Sequence, residues 1–93
     1  MVKHIVLYTL KAGVDKDEAV KRIAEILGPL VGRIPGLRHM EIRRAFQGMD
    51  YALYSEFDSP EDLESYKDHP LHLEAKGHFF HLIETRVAAD YIL

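Results

Sequence analysis

The chain contains no cysteine. This absence excludes disulfides, thiolate nucleophiles and thiolate metal ligands, and it fits a reducing compartment, so we expect a cytoplasmic protein. No apolar run approaches the roughly 20 residues that a membrane-spanning helix needs. The first apolar run is followed by Lys11 rather than by small residues of a cleavage site. We therefore expect neither a signal peptide nor a membrane partner.

The chain also lacks an excess of basic residues, since its formal net charge is −3. The densest basic group consists of Arg33, Arg38, Arg43 and Arg44. On a strand, Arg38 and Arg44 share one face whereas Arg43 lies on the other. The group is therefore interpreted as a solvated edge with acidic neighbours such as Glu41. Because nucleic-acid backbones require clustered lysine and arginine, we expect no nucleic-acid partner.

What the chain does contain is typical of one globular domain spanning residues 1–93. Its 93 residues are 47% hydrophobic and 29% charged, and no long segment is polar or proline-rich enough to be disordered. A chain this short buries a smaller fraction of its surface than a longer one does, so self-association would add to its stability.

Alternation of apolar and polar residues predicts four strands, at residues 2–10, 37–46, 51–57 and 85–92. The sequence "QGMD" at 47–50 separates the second and third strands and predicts a hairpin turn. The first strand has two largely apolar faces, with His4 and Tyr8 on one face and Ile5 and Leu7 on the other.

A helix is predicted from about Asp15, where acidic residues suit a helix start and apolar residues recur at spacings of three and four. Gly28 and Pro29 interrupt this pattern, because proline removes a backbone donor and crowds the preceding turn. We therefore expect a kink or an early end near Leu27, and "IPG" at 34–36 closes the helical region.

A pair of short helices is predicted before the last strand. Ser59 is a good N-cap, Pro60 fits the first helical position and Asp62 has the spacing of a capping box, so a helix runs to about residue 67. The residue before a proline is disfavoured in helical conformation, so His69 marks a corner. Pro70 then begins a second helix that runs to about residue 83.

The order strand, helix, strand, strand, helix pair, strand predicts an α+β fold of the ferredoxin-like, split βαβ type. Helices then cover one face of a four-stranded antiparallel sheet, and Ile5 and Leu7 lie on the uncovered face. Because large exposed apolar patches usually mark interfaces, we expect a two-fold homodimer that packs sheet face against sheet face.

Five short motifs follow one another along the chain: "KHIVLYTLK" at 3–11, "IPG" at 34–36, "EF" at 56–57, "YKDHPLH" at 66–72 and "DY" at 90–91. In this order they resemble the stress-responsive dimeric α+β barrel family, often called the Dabb domain. The His-Pro-x-His element is the most specific of them. The resemblance covers nearly the whole chain and implies a homodimer whose two sheets form a barrel.

Many proteins of that family are stress-linked or uncharacterised, whereas some plant proteins of the family are polyketide cyclases that perform an aldol condensation. The resemblance implies that Tyr66 and His72 occupy the places of the catalytic pair of those cyclases. It also implies that His4 lines the same cavity and that His69 is the first histidine of the His-Pro-x-His element. We expect His69, Tyr8 and Phe79 to line the substrate pocket.

Aldol-type carbonyl chemistry needs a base that removes an acidic carbon proton and a donor that stabilises the developing oxyanion. In this hypothesis His72 is the base, Tyr66 is the donor and His4 orients His72 or the substrate, with no cofactor. The alternative is purely structural: the Tyr66 hydroxyl bonds to backbone, His69 caps helix-end carbonyls, and His72 bonds to His4 in a filled core. The residues alone leave an enzyme and a binding protein both open.

Four histidines raise the question of a metal site: His69, His72, His78 and His81. On one continuous helix His72 and His78 would lie about 120° apart, and His72 and His81 on opposite sides. His78 and His81 share a helix face, but two histidines without a third ligand form a weak site. We therefore expect no metal site in this segment.

The segment "HFFHLI" at 78–83 is predicted to be core, because Phe79, Leu82 and Ile83 fall at helical spacing. Phe80 lies off this stripe and lines either the dimer contact or the pocket mouth. The expected ligand is a small apolar or carbonyl compound. A third hypothesis, a cofactor-free monooxygenase like those of neighbouring dimeric barrel families, requires a pocket shaped for an electron-rich aromatic, and no residue singles it out.

Overall fold

The computed structural model describes residues 1–93. Its strands are β1 (Val2–Leu10), β2 (Leu37–Arg44), β3 (Tyr51–Phe57) and β4 (Ile83–Ile92), its helices are α1 (Lys16–Leu27), α2 (Pro60–Asp68) and α3 (Pro70–Gly77), and two 3₁₀ turns span Gly28–Leu30 and Phe80–Leu82. The strands form one antiparallel sheet in the order β2-β3-β1-β4. The predicted ferredoxin-like α+β fold is confirmed.

Alternation along β1 separates the two faces of the sheet. Val6 and Leu10 point toward the helices and are buried, together with Phe57 of β3 and Ile23 of α1 at the centre of the core. On the opposite face no helix covers the strands, and Leu7 is 37% exposed. Because side chains alternate along a strand, this one element contributes both to the core and to an open apolar surface.

The first helix has the boundaries that local chemistry dictates. The Asp15 carboxylate accepts a hydrogen bond from the backbone N–H of Glu18 at 3.2 Å and so caps the helix start. At the other end, α1 stops at Leu27 and the chain passes through Gly28 and Pro29 into a 3₁₀ turn. The early end predicted from Gly28 and Pro29 is confirmed. None of the helices, of which the longest has 12 residues, combines the length and apolar character needed to cross a bilayer.

The corner between α2 and α3 is also confirmed. The Ser59 hydroxyl accepts a hydrogen bond from the backbone N–H of Asp62 at 3.1 Å, which caps α2. His69 is extended, with φ −64° and ψ 134°, as expected of a residue before proline. Its Nδ1 accepts a hydrogen bond from the backbone N–H of Leu71 at 3.1 Å. His69 therefore caps the N-terminus of α3, and the idea that it caps carbonyls at a helix end is wrong.

The predicted extension of α3 to residue 83 is also wrong. The helix ends at Gly77, which has low helix propensity, and Phe79 leaves the helical region with φ −142° to bury its ring in the core. The backbone N–H of Lys11 then donates to the carbonyl of Leu82 at 2.9 Å, and β4 begins at Ile83 rather than at residue 85. His78 and His81 therefore lie outside the helix, and the angular relations assumed for them do not apply.

The second strand is shorter than predicted, and two of its three arginines are held by carboxylates. It ends at Arg44 rather than at residue 46, and the Phe46 side chain is 99% exposed. Arg38 pairs with Asp58 at 2.6 Å, and Arg44 pairs with Asp17 at 2.9 Å. The acidic neighbours of these two arginines are thus Asp17 of α1 and Asp58 after β3, whereas the sequence suggested Glu41.

Candidate small-molecule site

A cavity of about 430 Å³ lies between the helix-facing side of β1 and β4 and the α2–α3 pair. Ligand pockets in proteins have volumes of about 300–1,000 Å³, so this cavity is large enough for a small organic molecule. Fifteen residues line it and eight of them are hydrophobic, so its wall combines apolar surface with polar and charged groups.

The floor of the cavity is built by strand register. In the antiparallel pair of β1 and β4, Tyr8 lies opposite Arg86 and His4 lies opposite Asp90. Side chains two residues apart on a strand share one face, so these four residues and Ala88 all point toward the helices. The floor therefore carries an arginine and a tyrosine at one end and a histidine and an aspartate at the other.

The first polar group of the floor is the pair of His4 and Asp90. The His4 ring is buried and its Nδ1 is hydrogen-bonded to the Asp90 carboxylate. An ionised carboxylate only accepts hydrogen bonds, so Nδ1 is the donor, and the other ring nitrogen of a neutral His4 carries no proton. The pairing fixes both the orientation and the tautomer of this histidine.

The roof of the cavity carries the pair of Tyr66 and His72. Tyr66 belongs to the last turn of α2 and His72 to the first turn of α3, and the corner at His69 brings their rings together. The ring centroids are 4.0 Å apart with an interplanar angle of 25°, which is a stacked arrangement. Two side chains six positions apart thus act as one unit on the cavity wall.

Burial decides the protonation state of His72. It lowers the pKa of the ring below its usual value of 6.5, and a hydrogen bond to the backbone carbonyl of Lys67 opposes that change. The His72 Nδ1 lies 3.3 Å from this carbonyl oxygen. Because a carbonyl oxygen only accepts, Nδ1 carries the proton and the other ring nitrogen is free. His72 is therefore a neutral imidazole at neutral pH with an available basic nitrogen.

Tyr66 is suited to donate a proton in a hydrogen bond. The residue is buried, and burial raises the pKa of its hydroxyl, so the phenol stays protonated. No side-chain hydrogen bond of the chain involves the Tyr66 hydroxyl. The buried hydroxyls that lack both a hydrogen-bond partner and contact with solvent are those of Tyr51 and Ser55, and Tyr66 is not among them. The structural alternative assumed a hydrogen bond from the Tyr66 hydroxyl to the backbone, and this bond is absent.

The other residues predicted for the pocket divide into two groups. Tyr8 and Phe79 line the cavity, and so does Phe80, whose side chain is 49% exposed. His69 does not line the cavity, because its ring is turned toward the backbone of α3. His72 makes its hydrogen bond with the backbone carbonyl of Lys67 and not with His4, so the bond between His72 and His4 that the structural alternative assumed is absent.

The rest of the chain offers fewer groups suited to acid–base chemistry or to metal binding. A more open groove of about 560 Å³ lies between α1 and β2, where charged side chains such as Lys21 and Glu25 alternate with apolar ones, and neither tyrosine nor histidine is present. Nowhere in the chain are three histidine, aspartate or glutamate side chains grouped so that they could hold a metal ion. The cavity under α2 and α3 is thus the place where groups suited to acid–base chemistry meet.

Five charged residues of the cavity were not predicted as site residues: Lys67, Asp68, Lys76, Arg86 and Asp90. The motif "DY" contains Asp90, but nothing local shows that its side chain faces His4. The signal lies in the pairing of β4 with β1, which are separated by more than 70 residues. Alternation along β4 shows which of its residues share a face. Only the pairing with β1 shows that the face of Arg86 and Asp90 is the one that points toward the helices.

Residues 2–93 match the model of the family described as Stress Responsive A/B Barrel Domain. An uncharacterized protein of Streptomyces coelicolor is 33% identical, and the match covers 98% of each chain. A dimeric protein of unknown function and ferredoxin-like fold from Bacteroides fragilis is 32% identical with a TM-score of 0.88, over 99% of this chain and 95% of that one. A dimeric ferredoxin-like protein of unknown function from Thermobifida fusca is 26% identical with a TM-score of 0.82, over 99% and 90% of the two chains.

Proposed function

The chain belongs to the stress responsive A/B barrel domain family, and on that premise we propose that its cavity is a small-molecule site for acid–base chemistry on a carbonyl compound. The observation that carries the proposal is the stacked pair of Tyr66 and His72 on the cavity wall. One member is a protonated donor and the other a neutral base, which are the two groups that enolate formation requires.

The proposed reaction begins with proton transfer. The free ring nitrogen of His72 removes a proton from the carbon next to a substrate carbonyl. The electron pair of that C–H bond forms the C=C bond of the enolate, and the π pair of the C=O bond moves onto the oxygen. The Tyr66 hydroxyl donates a hydrogen bond to this oxyanion. The enolate then attacks a second carbonyl carbon, as in an aldol reaction, and the proton held by His72 passes to the new alkoxide. His4, oriented by Asp90, positions the substrate beside His72.

A binding protein without turnover is the second candidate, and it would use the same cavity. What favours chemistry is that a protonated phenol and a neutral imidazole lie together on the cavity wall, and burial reinforces both states by raising the pKa of Tyr66 and lowering that of His72. A site that only bound an apolar molecule would gain nothing from a desolvated imidazole, since burying polar groups costs free energy.

Catalysis of proton exchange tests the proposal without knowledge of the natural substrate. Ketones in D₂O exchange their α-protons when a base removes them, and NMR follows the loss of signal. We expect the wild-type chain to accelerate exchange of at least one member of a panel of aromatic and aliphatic ketones. The variants His72→Gln and Tyr66→Phe should each lose about 10²- to 10⁴-fold of this rate, as is usual for general acid–base groups.

The controls for this test are His81→Gln and Tyr91→Phe, which make the same chemical changes at exposed positions outside the cavity. Both should exchange ketone protons at the wild-type rate. Equal rates in His72→Gln and His81→Gln would refute a base at position 72. Binding of a ketone to the wild-type chain without any exchange would instead support the binding protein.

We also propose that the chain forms a homodimer through the open face of its sheet. Leu7 of β1 and Val87 of β4 lie opposite each other on this face and are 37% and 61% exposed. Apolar surface of this kind is usually covered in an assembly. The dimeric state of the two similar solved proteins supports a dimer of this chain.

A further inference from the structure

The charges around the cavity are unevenly partnered. Asp90 is bound to His4, and Lys67 pairs with Glu64 at 3.4 Å. Arg86 and Lys76 also line the cavity, and neither takes part in an ion pair within the chain. The one lining carboxylate without an ion pair is Asp68, an exposed residue at the end of α2.

Arg86 lies at the end of the floor that is remote from the carboxylate of Asp90. The two residues are four positions apart on β4, which is about 13 Å along a strand. Arg86 faces Tyr8 across the strand pair, and its guanidinium opposes the increase that burial causes in the pKa of the Tyr8 hydroxyl. The guanidinium therefore belongs to the cavity wall, and the partner found for it there is an aromatic hydroxyl, which is not an anion.

Lys76 supplies the second cation from the roof. It lies one helical turn after His72, and its Nζ is 4.9 Å from the centroid of the Phe80 ring. Its charge contributes to the lowered pKa of His72. The lysine is thus held at the cavity by an aromatic ring, which is a weaker partner than a carboxylate.

An arginine presents a planar fork of donors that fits the two oxygens of a carboxylate or a phosphate, and such charge-assisted bonds are stronger than neutral ones. A cavity wall with two unpaired cations also attracts anions and raises their local concentration. Apolar lining residues such as Leu73 and Phe79 meanwhile favour a carbon skeleton. The chemistry of the wall is that of a site for an organic acid.

We propose that the ligand of this cavity is a small organic anion, a carboxylate or a phosphate ester, whose charged group binds Arg86 with support from Lys76. The assignment of an anionic ligand rests on the unpaired charges of Arg86 and Lys76 and does not depend on the proposed reaction. Its extension rests on the proposed function: with the anion at Arg86, the carbonyl of the same molecule lies under Tyr66 and His72. The substrate class is then an oxo acid or the phosphate ester of a carbonyl compound, and Arg86 determines specificity.

Four small probes that share a benzene ring and differ in charge test the anion site: benzoate, phenyl phosphate, benzyl alcohol and benzylamine. Isothermal titration calorimetry and NMR chemical-shift mapping should find that benzoate or phenyl phosphate binds more tightly than benzyl alcohol, and benzylamine more weakly. Affinity for the anion should fall as salt is raised. Which of the two anions binds better distinguishes a carboxylate from a phosphate site. Equal affinity for all four probes would overturn the proposal.

Arg86→Gln should lower the affinity for the preferred anion about 10- to 100-fold, which is the usual weight of hydrogen bonds to a charged group. Its affinity for benzyl alcohol should not change, and that binding also reports that the variant is folded. The control Arg33→Gln removes the same charge from an exposed residue outside the cavity and should bind like the wild type. Unchanged anion affinity in Arg86→Gln would refute the assignment. If Arg86→Gln does not fold, the proposal is tested by the anion affinity of Lys76→Gln, which should be lowered, and by the fall in wild-type anion affinity as salt is raised.

The ketone-exchange variants separate this inference from the proposed function. His72→Gln and Tyr66→Phe should keep the anion affinity of the wild type, because neither residue is the anion's partner. A wild-type chain that exchanges ketone protons but does not prefer anionic probes would refute the anion site and leave the acid–base chemistry intact. Selective anion binding at Arg86 without any proton exchange would support the anion site and refute the acid–base chemistry.

Discussion

At the scale of single residues, the candidate site depends on hydrogen bonds that leave one nitrogen of each histidine free. His4 donates to a carboxylate and His72 donates to a backbone carbonyl, so each ring carries a proton on Nδ1. Both histidines, and Tyr66 beside them, were identified through the resemblance of the sequence motifs to those of the family. The sequence did not identify Asp90 or Arg86, because their relation to the cavity depends on which residues of β1 they face.

The lowered pKa of His72 makes a prediction about stability. The unfolded chain has a histidine pKa of about 6.5, whereas that of folded His72 is lower. As pH falls through this interval the unfolded chain binds the proton first, so the free energy of unfolding falls; above pH 6.5 both states are neutral and the contribution is constant. Urea unfolding between pH 7.5 and pH 5 should therefore show a steeper loss in the wild type than in His72→Gln. Equal slopes would contradict the lowered pKa, and an NMR titration of the ring protons should place the His72 midpoint below 6.5.

At the scale of elements, local signals were sufficient where a cap or a proline marks a boundary. The ends of α1 and α2 and the corner at His69 were predicted from such residues and are confirmed. The end of α3 was not, because Phe79, Leu82 and Ile83 have the spacing of a helical stripe. A 3₁₀ turn and the first residue of β4 bring the same three side chains against the core. Over so few residues apolar spacing does not distinguish the two arrangements, and the pairing of Ile83 with Leu10 decides.

The cap of α2 should be measurable because this helix carries Tyr66. Replacing Ser59 by alanine removes the acceptor for the backbone N–H of Asp62, and an N-cap of this kind contributes about 1 kcal/mol. Ser65→Ala is the matched control, since Ser65 is an exposed residue in the interior of the same helix. Urea unfolding should show a loss of about 1 kcal/mol for Ser59→Ala and no loss for Ser65→Ala. The same stability in both variants would be incompatible with a capping role.

The turn before β2 contains a glycine that no other residue replaces easily. Gly36 has φ +83°, and a Cβ at this position would lie 2.3 Å from Cγ of Asp62. Gly48 has φ +86° with no atom within 4 Å of its Cβ position, so Gly48→Ala tests the backbone conformation alone. We expect Gly48→Ala to lower the free energy of unfolding by about 1–2 kcal/mol. Gly36→Ala should cost more, because Asp62 must also leave its contact with Ser59. Equal losses in thermal or urea unfolding would show that the approach of Asp62 has no energetic weight.

At the scale of the whole molecule, one sheet serves two purposes. Its helix-facing side forms the core and the cavity floor, and its open side presents the apolar side chains of Leu7 and Val87 together with a polar group made by Lys3, Tyr54 and Glu56. In that group the Lys3 ammonium pairs with the Glu56 carboxylate, which also accepts a hydrogen bond from the Tyr54 hydroxyl at 2.6 Å. Their attraction raises the pKa of Lys3 and lowers that of Glu56, so both are charged at neutral pH. A fixed ion pair on an apolar face can set the register in which two copies meet.

The homodimer is tested by placing a charge on the open face of the sheet. Leu7→Asp puts a carboxylate at the centre of this face, where association would bury it without a partner at a cost of about 3–5 kcal/mol. Val31→Asp introduces the same charge at a residue that is equally exposed, at 37%, but lies in the loop after α1. Sedimentation velocity at micromolar concentration should find a dimer for the wild type and Val31→Asp and a monomer for Leu7→Asp. A monomeric wild type would refute the dimer, and a dimeric Leu7→Asp would move the interface to another surface. Because the cavity lies on the opposite side of the sheet, the Leu7→Asp monomer should still bind the probes that the wild type binds.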